Sequence, residues 1–556
     1  MIRGTRGSAA EGERAHRGAR RLTGAPAAGE AGWLRGASAR GARRPPRRAT
    51  LWLAVAGIMS IALIAACAAP LRPASPEIVP APATTDPTAW AELYPAEYAQ
   101  WLATSEERTA GLSAYKRGFD GGVTYDKLSQ FPFMPLLFNG WGFGIEYNEP
   151  RGHWWMLRDQ QTIDAARVKA GGACLTCKSP SADALHADLG AEFMSMPYAD
   201  AVALLPEGQQ GLGVSCIDCH DNETLELRSA RWTMEAALAD IGLTEPNDQQ
   251  QRIIVCGQCH ATYSLMKEDG KSVDVSFPWQ GGTWGDVSVE TIIANLRSDP
   301  ARLEWTQSVT DFRLGFIRHP DVEFFTAGSV HYNAGLACPD CHMAYTIVGG
   351  VKTANHNIMS PLKNGMTACV TCHPENMGDL RAQVLEIQDR NVSMLIDTGY
   401  AIAADAKLFE MVNSQVATQT AEIKPRYDQA KAYYEEAFYR VVYMGAENSM
   451  GFHNPTEGAR ILRDAMAYSQ RCDAILRELL AAEGIAVPDE IDLELGTYLV
   501  GRGSENLGFV ASQRFADPYP THLSLWPLNE AMLGDVPVSE PLRSPTVAEV
   551  LGVTEE

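Results

Sequence analysis

Cys338-Pro339-Asp340-Cys341-His342 decides how this chain is read, because its pattern occurs four times. It returns as Cys216-Ile217-Asp218-Cys219-His220, Cys256-Gly257-Gln258-Cys259-His260 and Cys369-Val370-Thr371-Cys372-His373. C-x-x-C-H is the attachment signature of haem c: the two thiols form thioethers to the porphyrin and the adjacent His falls beneath the iron as an axial ligand. A zinc reading would pair the C-x-x-C units with one another and leaves the trailing His unexplained. A disulfide framework, the usual use of many cysteines in an exported chain, does not recur as identical pairs. A fifth pair, Cys174-Leu175-Thr176-Cys177-Lys178, carries Lys where the others carry His. Lys ligates iron only as the neutral amine, so burial and the metal must depress its pKa. The bland alternative is a degenerate motif. These five pairs account for ten of the twelve cysteines. Cys472 lies in a helical pattern and reads as a packed core thiol.

The twelfth cysteine, Cys67, closes an address. Leu51 to Ala66 is uncharged, follows Arg47-Arg48, and ends at Ile64-Ala65-Ala66-Cys67. A positive flank, an apolar run and small residues mark a secretory signal. Cys67 after Ile-Ala-Ala resembles the lipidated first residue of bacterial lipoproteins; an uncleaved anchor is the alternative. Residues 1–50 hold twelve Arg and three Glu, net +9; the chain as a whole is −21, which leaves −30 for the rest. So acidic a body repels phosphates and excludes nucleic acid as a partner, although solubility alone would explain the charge.

The motif set resembles the pentahaem ammonia-forming cytochrome c nitrite reductases, of the calcium-independent type. Five attachment motifs with Lys in the first carry the likeness. So do Tyr94-Pro-Ala-Glu-Tyr-Ala-Gln-Trp101, Arg151-Gly-His153, Phe277-Pro-Trp279, His319-Pro320 and Gly451-Phe-His-Asn-Pro455. The resemblance implies dissimilatory six-electron reduction of nitrite at the Lys178-ligated haem, fed by four bis-His haems. By the same resemblance His153 caps the third haem, His331 the fifth, His356 the second and His453 the fourth. Proximal ligands are His220, His260, His342 and His373. His16, His186 and His522 are left as ordinary histidines. Arg167, Tyr263 and His319 match the catalytic trio, with Arg158 the competing choice for the arginine.

Many members of that family bind calcium beside the site through a Glu before the Tyr and a Lys-x-Gln run before the His. Here those positions hold Thr262, Phe316 and Arg318. Calcium wants six to eight oxygens, several of them anionic. Five haems c and no calcium are therefore expected, with Arg318 as the calcium substitute. Related chemistry on hydroxylamine or sulfur oxyanions, and a plain multihaem electron carrier, stay open. Implied partners are a membrane quinol dehydrogenase cytochrome or a soluble cytochrome donor, and a second copy in a homodimer. The implied location is the periplasm or the outer face of the cytoplasmic membrane, with lipidated Cys67 as an attachment.

The expected fold class is mainly α, a multihaem cytochrome with a haem-packed core and long C-terminal helices. Residues 1–49 read as a basic n-region from a start codon chosen too early, and 50–66 as signal or anchor. Residues 67–92 read as a Pro/Ala-rich tether, 93–378 as the haem-binding catalytic region, 379–520 as a helical dimerisation region, and 521–556 as a tail. Apolar positions at three-to-four spacing place helices over 379–400, 416–445 and 457–484. Pro455-Thr456-Glu457-Gly458 suits the start of the last.

Overall fold

The computed structural model describes residues 78–106, 125–149, 151–164, 167, 171–374 and 377–499. The n-region, the apolar run, Cys67 and the tail after 521 lie outside them. Among the described residues no helix is long and apolar enough to cross a membrane.

The first half is assembled from short pieces. Each attachment motif begins or ends a helix: α1 is Gly171–Leu175, α2 Cys216–Cys219, and α3 Asp248–His260, whose last turn carries the third motif. Between motifs the chain turns back in small antiparallel hairpins. Strand β1, Ser264–Glu268, pairs with β2, Lys271–Ser276; β3, Trp305–Gln307, pairs with β4, Phe312–Leu314. Helix α4, Asp321–Thr326, precedes α5, Cys338–His342, which holds the fourth motif. A third hairpin, β5 Tyr345–Val348 with β6 Val351–Ala354, follows.

The second half is three long helices packed on one another: α6 Met377–Gln415, α7 Lys424–Ala446 and α8 Pro455–Ala482. Helix α8 starts as its sequence predicts, with Pro455 at the first helical position and Asn454 capping the Glu457 N–H. Helix α6 runs fifteen residues past the expected end at 400. Its extension buries Ile402, Ala406, Leu408, Phe409 and Val412, while Gly399 leaves room for Phe133, which a Cβ would approach to 2.3 Å.

The expected tether is partly wrong. From Ala81 onward the segment is packed against the haem region. Ala81 exchanges hydrogen bonds with Asn222, the Ser215 hydroxyl donates to the Thr85 carbonyl at 2.7 Å, and Trp90 is buried. Pro and Ala composition reads as loose chain, but a single Trp with a cavity to enter overrides it.

Candidate active site

All ten motif cysteines line one cavity of about 1710 Å³, together with Lys178 and His220, His260, His342 and His373. His153, His331, His356 and His453 line it too, as do Arg167, Tyr263, Arg318 and His319. The volume is well beyond the usual 300–1,000 Å³ ligand pocket. None of the ten thiols is in a disulfide.

Five side chains hold the first four motifs in place. In α2 the internal Asp218 of C-x-x-C accepts from the Ser215 N–H at 2.8 Å, and in α5 Asp340 does the same for the Ala337 N–H. Each thereby caps the turn that carries its own cysteines. Arg231, fully buried, pairs with Asp218 at 2.7 Å and donates to the carbonyls of Thr176 and Ser179, clasping the second motif to the first. Gln258, inside the third motif, donates to the Asp218 carbonyl and accepts from the Ala230 N–H. Arg252 on α3 pairs with Asp340, tying the third motif to the fourth.

The residues fit haem. Two imidazoles on opposite sides of one metal, each bound at about 2.0 Å, set their ring centres about 6 Å apart. His220 and His356 lie 6.1 Å apart, and His342 and His453 6.2 Å. His260 is the foremost charged neighbour of His153, and His373 that of His331. An axial imidazole normally anchors its far nitrogen, which fixes the tautomer and leaves the other for metal. The Nδ1 atoms of His220, His342 and His356 sit 2.8, 3.0 and 2.9 Å from the carbonyls of Leu225, Met359 and Ala354. His260 Nδ1 meets Asp321 at 3.0 Å, and His453 Nδ1 meets Glu447 at 2.9 Å. Burial pulls His153 and His342 down to about 4 and so holds them neutral, the ligating form. By contrast Glu447 outweighs burial at His453 and raises it to about 8. Burial also lowers the Lys178 ammonium, the direction its sequence position requires.

Ring distance alone does not identify a pair, since His260 and His319 are also 6.2 Å apart. Their Nδ1 atoms both face one Asp321–Asn448 unit, at 3.0 Å for His260 and 3.3 Å for His319. The two rings therefore stand side by side on a common anchor rather than across a metal.

Around Lys178 the wall is cationic and aromatic. Arg167 lies over the Phe143 ring at 4.3 Å, and its Nη1 is buried without a hydrogen-bond partner. Its competitor Arg158 is turned elsewhere, over Trp154 and onto the Gly211 carbonyl. Burial pushes the Tyr263 phenol up, so it stays protonated. His319 has φ +46°, a strained conformation for a non-glycine residue.

Arg318 is fully enclosed. It donates to both oxygens of Glu304, at 2.7 and 2.6 Å, and to the carbonyls of Tyr263 and Phe316 at 3.2 and 3.4 Å. Its guanidinium lies 4.9 Å from the Tyr263 ring centre. The hairpin register makes this possible: Trp305 pairs with Leu314, which brings Glu304 beside a residue fourteen positions on. Thr262 takes the Arg318 N–H on its hydroxyl. Glu304, Asp321, Asn448, Arg231 and Arg252 were not singled out in the sequence. Only the internal Asp residues of the motifs carried a readable signal, as capping boxes.

His186, read as ordinary, stacks on Trp232 at 3.8 Å. Cys472, read as a core thiol, is fully buried.

The family profile of cytochrome c552 matches residues 86–524. Cytochrome c-552 of Porphyromonas gingivalis is 28% identical over 74% of this chain and 81% of its own length. That of Bacteroides thetaiotaomicron is 29% identical over 71% and 78%. Among solved structures, the catalytic subunit of cytochrome c nitrite reductase from Desulfovibrio desulfuricans, described for its two calcium sites, superposes with a TM-score of 0.65. It is 25% identical, covering 73% of this chain and 89% of that one.

Proposed function

This chain belongs to the cytochrome c552 family, and from that premise we propose that it reduces nitrite to ammonia at a haem held from beneath by Lys178, with five haems c in all. One observation carries the reading. The one motif of five that offers an amine has Arg167 among the charged neighbours of its Lys178 and Tyr263 beside its Cys174 and Cys177, and His319 lines the same cavity. Haems held by a His on each side would leave no place for a substrate, whereas one held by Lys178 would leave room for it beside Arg167, Tyr263 and His319.

Haems attached at the five motifs would supply the electrons and, at the Lys178 motif, a Lewis-acidic site for the anion. The chain's own groups do the rest. Conversion of nitrite to ammonium and two waters takes six electrons and eight protons, so donors must face the oxygens throughout. Arg167, permanently charged and with an Nη1 not used by the protein, orients the anion. His319 donates an N–H to a nitrite oxygen and returns for further protons. The Tyr263 hydroxyl, kept protonated by burial, positions the bound nitrogen species. The burial that depresses the Lys178 pKa keeps its amine available as a ligand.

Arg318 takes the place that calcium holds in other members. A fixed cation already satisfies the Glu304 carboxylate and the Tyr263 and Phe316 carbonyls, oxygens a calcium ion would otherwise use. We propose that this chain needs no calcium, unlike the Desulfovibrio enzyme with its two sites. Export to the periplasmic side, attachment through Cys67, a cytochrome or quinol dehydrogenase donor, and dimerisation through α6–α8 belong to the same proposal.

The test is steady-state nitrite reduction by purified holoprotein with ammonia quantified, joined to an EPR spectrum of the resting enzyme. Stoichiometric ammonia and a high-spin haem signal are expected. Five low-spin haems and no ammonia would reduce the protein to an electron carrier.

A further inference from the structure

Resting on the assignment of His319 to the open haem face, we propose that Asn448 is a positioning residue that sets which nitrogen of His319 carries the proton. Asn448 stands in the turn after α7, 129 positions from His319, yet its side-chain nitrogen lies 3.3 Å from His319 Nδ1 and 2.5 Å from Asp321 Oδ2. Its own backbone N–H donates to Asp321 Oδ1 at 2.8 Å. Asp321 also takes the Nδ1 of His260 at 3.0 Å.

The chemistry of these groups leaves one arrangement. A carboxylate that accepts on both oxygens needs a donor from the Asn side chain, so the amide NH₂, not its oxygen, faces Asp321. The other hydrogen of that NH₂ then points at His319 Nδ1. A nitrogen that accepts has no hydrogen of its own. Neutral imidazole carries one N–H, so it sits on Nε2. His319 is thus pre-set as a donor through Nε2, and the nitrite oxygens need a donor. Without Asn448 the donor facing Nδ1 is lost, and the other tautomer would put a lone pair where the N–H should be.

The strained backbone at His319 fits this role. A residue held at φ +46° persists only where its surroundings over-determine it. Here the same Asp321 that anchors Asn448 also anchors the axial His260. One carboxylate therefore sets both the proton donor at the first haem and an imidazole of the neighbouring third motif.

The experiment is a double-mutant cycle on holoprotein, reading turnover, haem content and nitrite affinity from the Soret band of the oxidised enzyme. Asn448→Leu keeps the volume and removes the donor. It is expected to lower kcat about 10- to 100-fold, with five haems retained and the nitrite dissociation constant shifted far less. Asn448→Asp, which keeps the shape but turns a donor into an acceptor, is expected to be as damaging. In a His319→Ala background neither change should matter further, because each acts through that imidazole. Wild-type turnover in Asn448→Asp, or an Asn448→Leu penalty that persists in full without His319, overturns the proposal. If Asn448→Leu loses haem, the Asn448→Asp arm decides alone. Normal turnover in His319→Ala itself would instead bring down the site assignment on which this inference rests, a separate failure.

Discussion

Residues 171–374 and residues 377–482 share one apolar core but differ in how much of each lines the cavity. The C-terminal helices bury their apolar faces in a core they share with the rest of the chain: Phe409 and Tyr434 pack on Phe312 and Phe438 on Trp305, with Leu408 and Leu476 fully buried beside them. The motif-bearing half adds Phe277, Trp279, Ile292 and Phe324 to that core and has a second one around Leu175, Phe193 and Tyr198, but it also lines most of the cavity. Its elements are mostly four to thirteen residues long, and its cysteines and axial histidines surround the cavity. Helices that short are marginal without tertiary support. The helical half is buried mainly against protein; the motif half is buried partly against protein and partly around the cavity, which haem would fill.

That contrast can be broken outright. Produced without haem attachment, the chain should keep far-UV helicity from α6–α8 while residues 171–374 become protease-sensitive. Equal protection of both halves would erase the distinction. Next in size, Lys178→His should retain five haems but lose most nitrite turnover, since an imidazole replaces the amine. Unchanged turnover would count against the site.

A third change probes the motif half where it is self-sufficient. Arg318→Gln strands the buried Glu304 carboxylate and should cost about 3–5 kcal/mol. Added calcium should restore part of the lost Tm, because a cation-binding oxygen cluster has been uncovered. No calcium response would mean the guanidinium is not a substitute for the ion.

Smaller still is a pH effect. Burial raises Glu323 to about 8 although it accepts from the Thr262 N–H and the Trp279 indole. The folded state then holds a proton that the unfolded state releases near 4.5. Stability from this group is present below that pH, falls as pH rises toward 8, and is flat above. Glu323→Gln, neutral throughout, should match wild type in Tm at pH 5 and exceed it at pH 8. The smallest change lies in the helical half: Cys472→Ala should cost about 1 kcal/mol and leave haem count and turnover alone. An effect on haem content there would show the two halves to be coupled.

Much of this was readable from the chain. Covalent chemistry is written locally, as C-x-x-C before an axial residue, so the five motifs, the odd Lys178 and the helical periodicity after 379 were legible without the fold. The preference for Arg167 over Arg158 rests on the resemblance alone; the fold adds that Arg167 lines the cavity while Arg158 lies over Trp154 and on the Gly211 carbonyl. The packing of residues 81–90 and the added length of α6 did need the fold.

What tertiary structure alone decided is the environment of those local groups. Glu304 beside Arg318, Asp321 behind His260 and Asn448 behind His319 are 14, 61 and 129 residues apart. No periodicity links such positions. A pKa, a tautomer or a charge balance depends on what lies within a few ångströms, and folding, not sequence order, sets that distance.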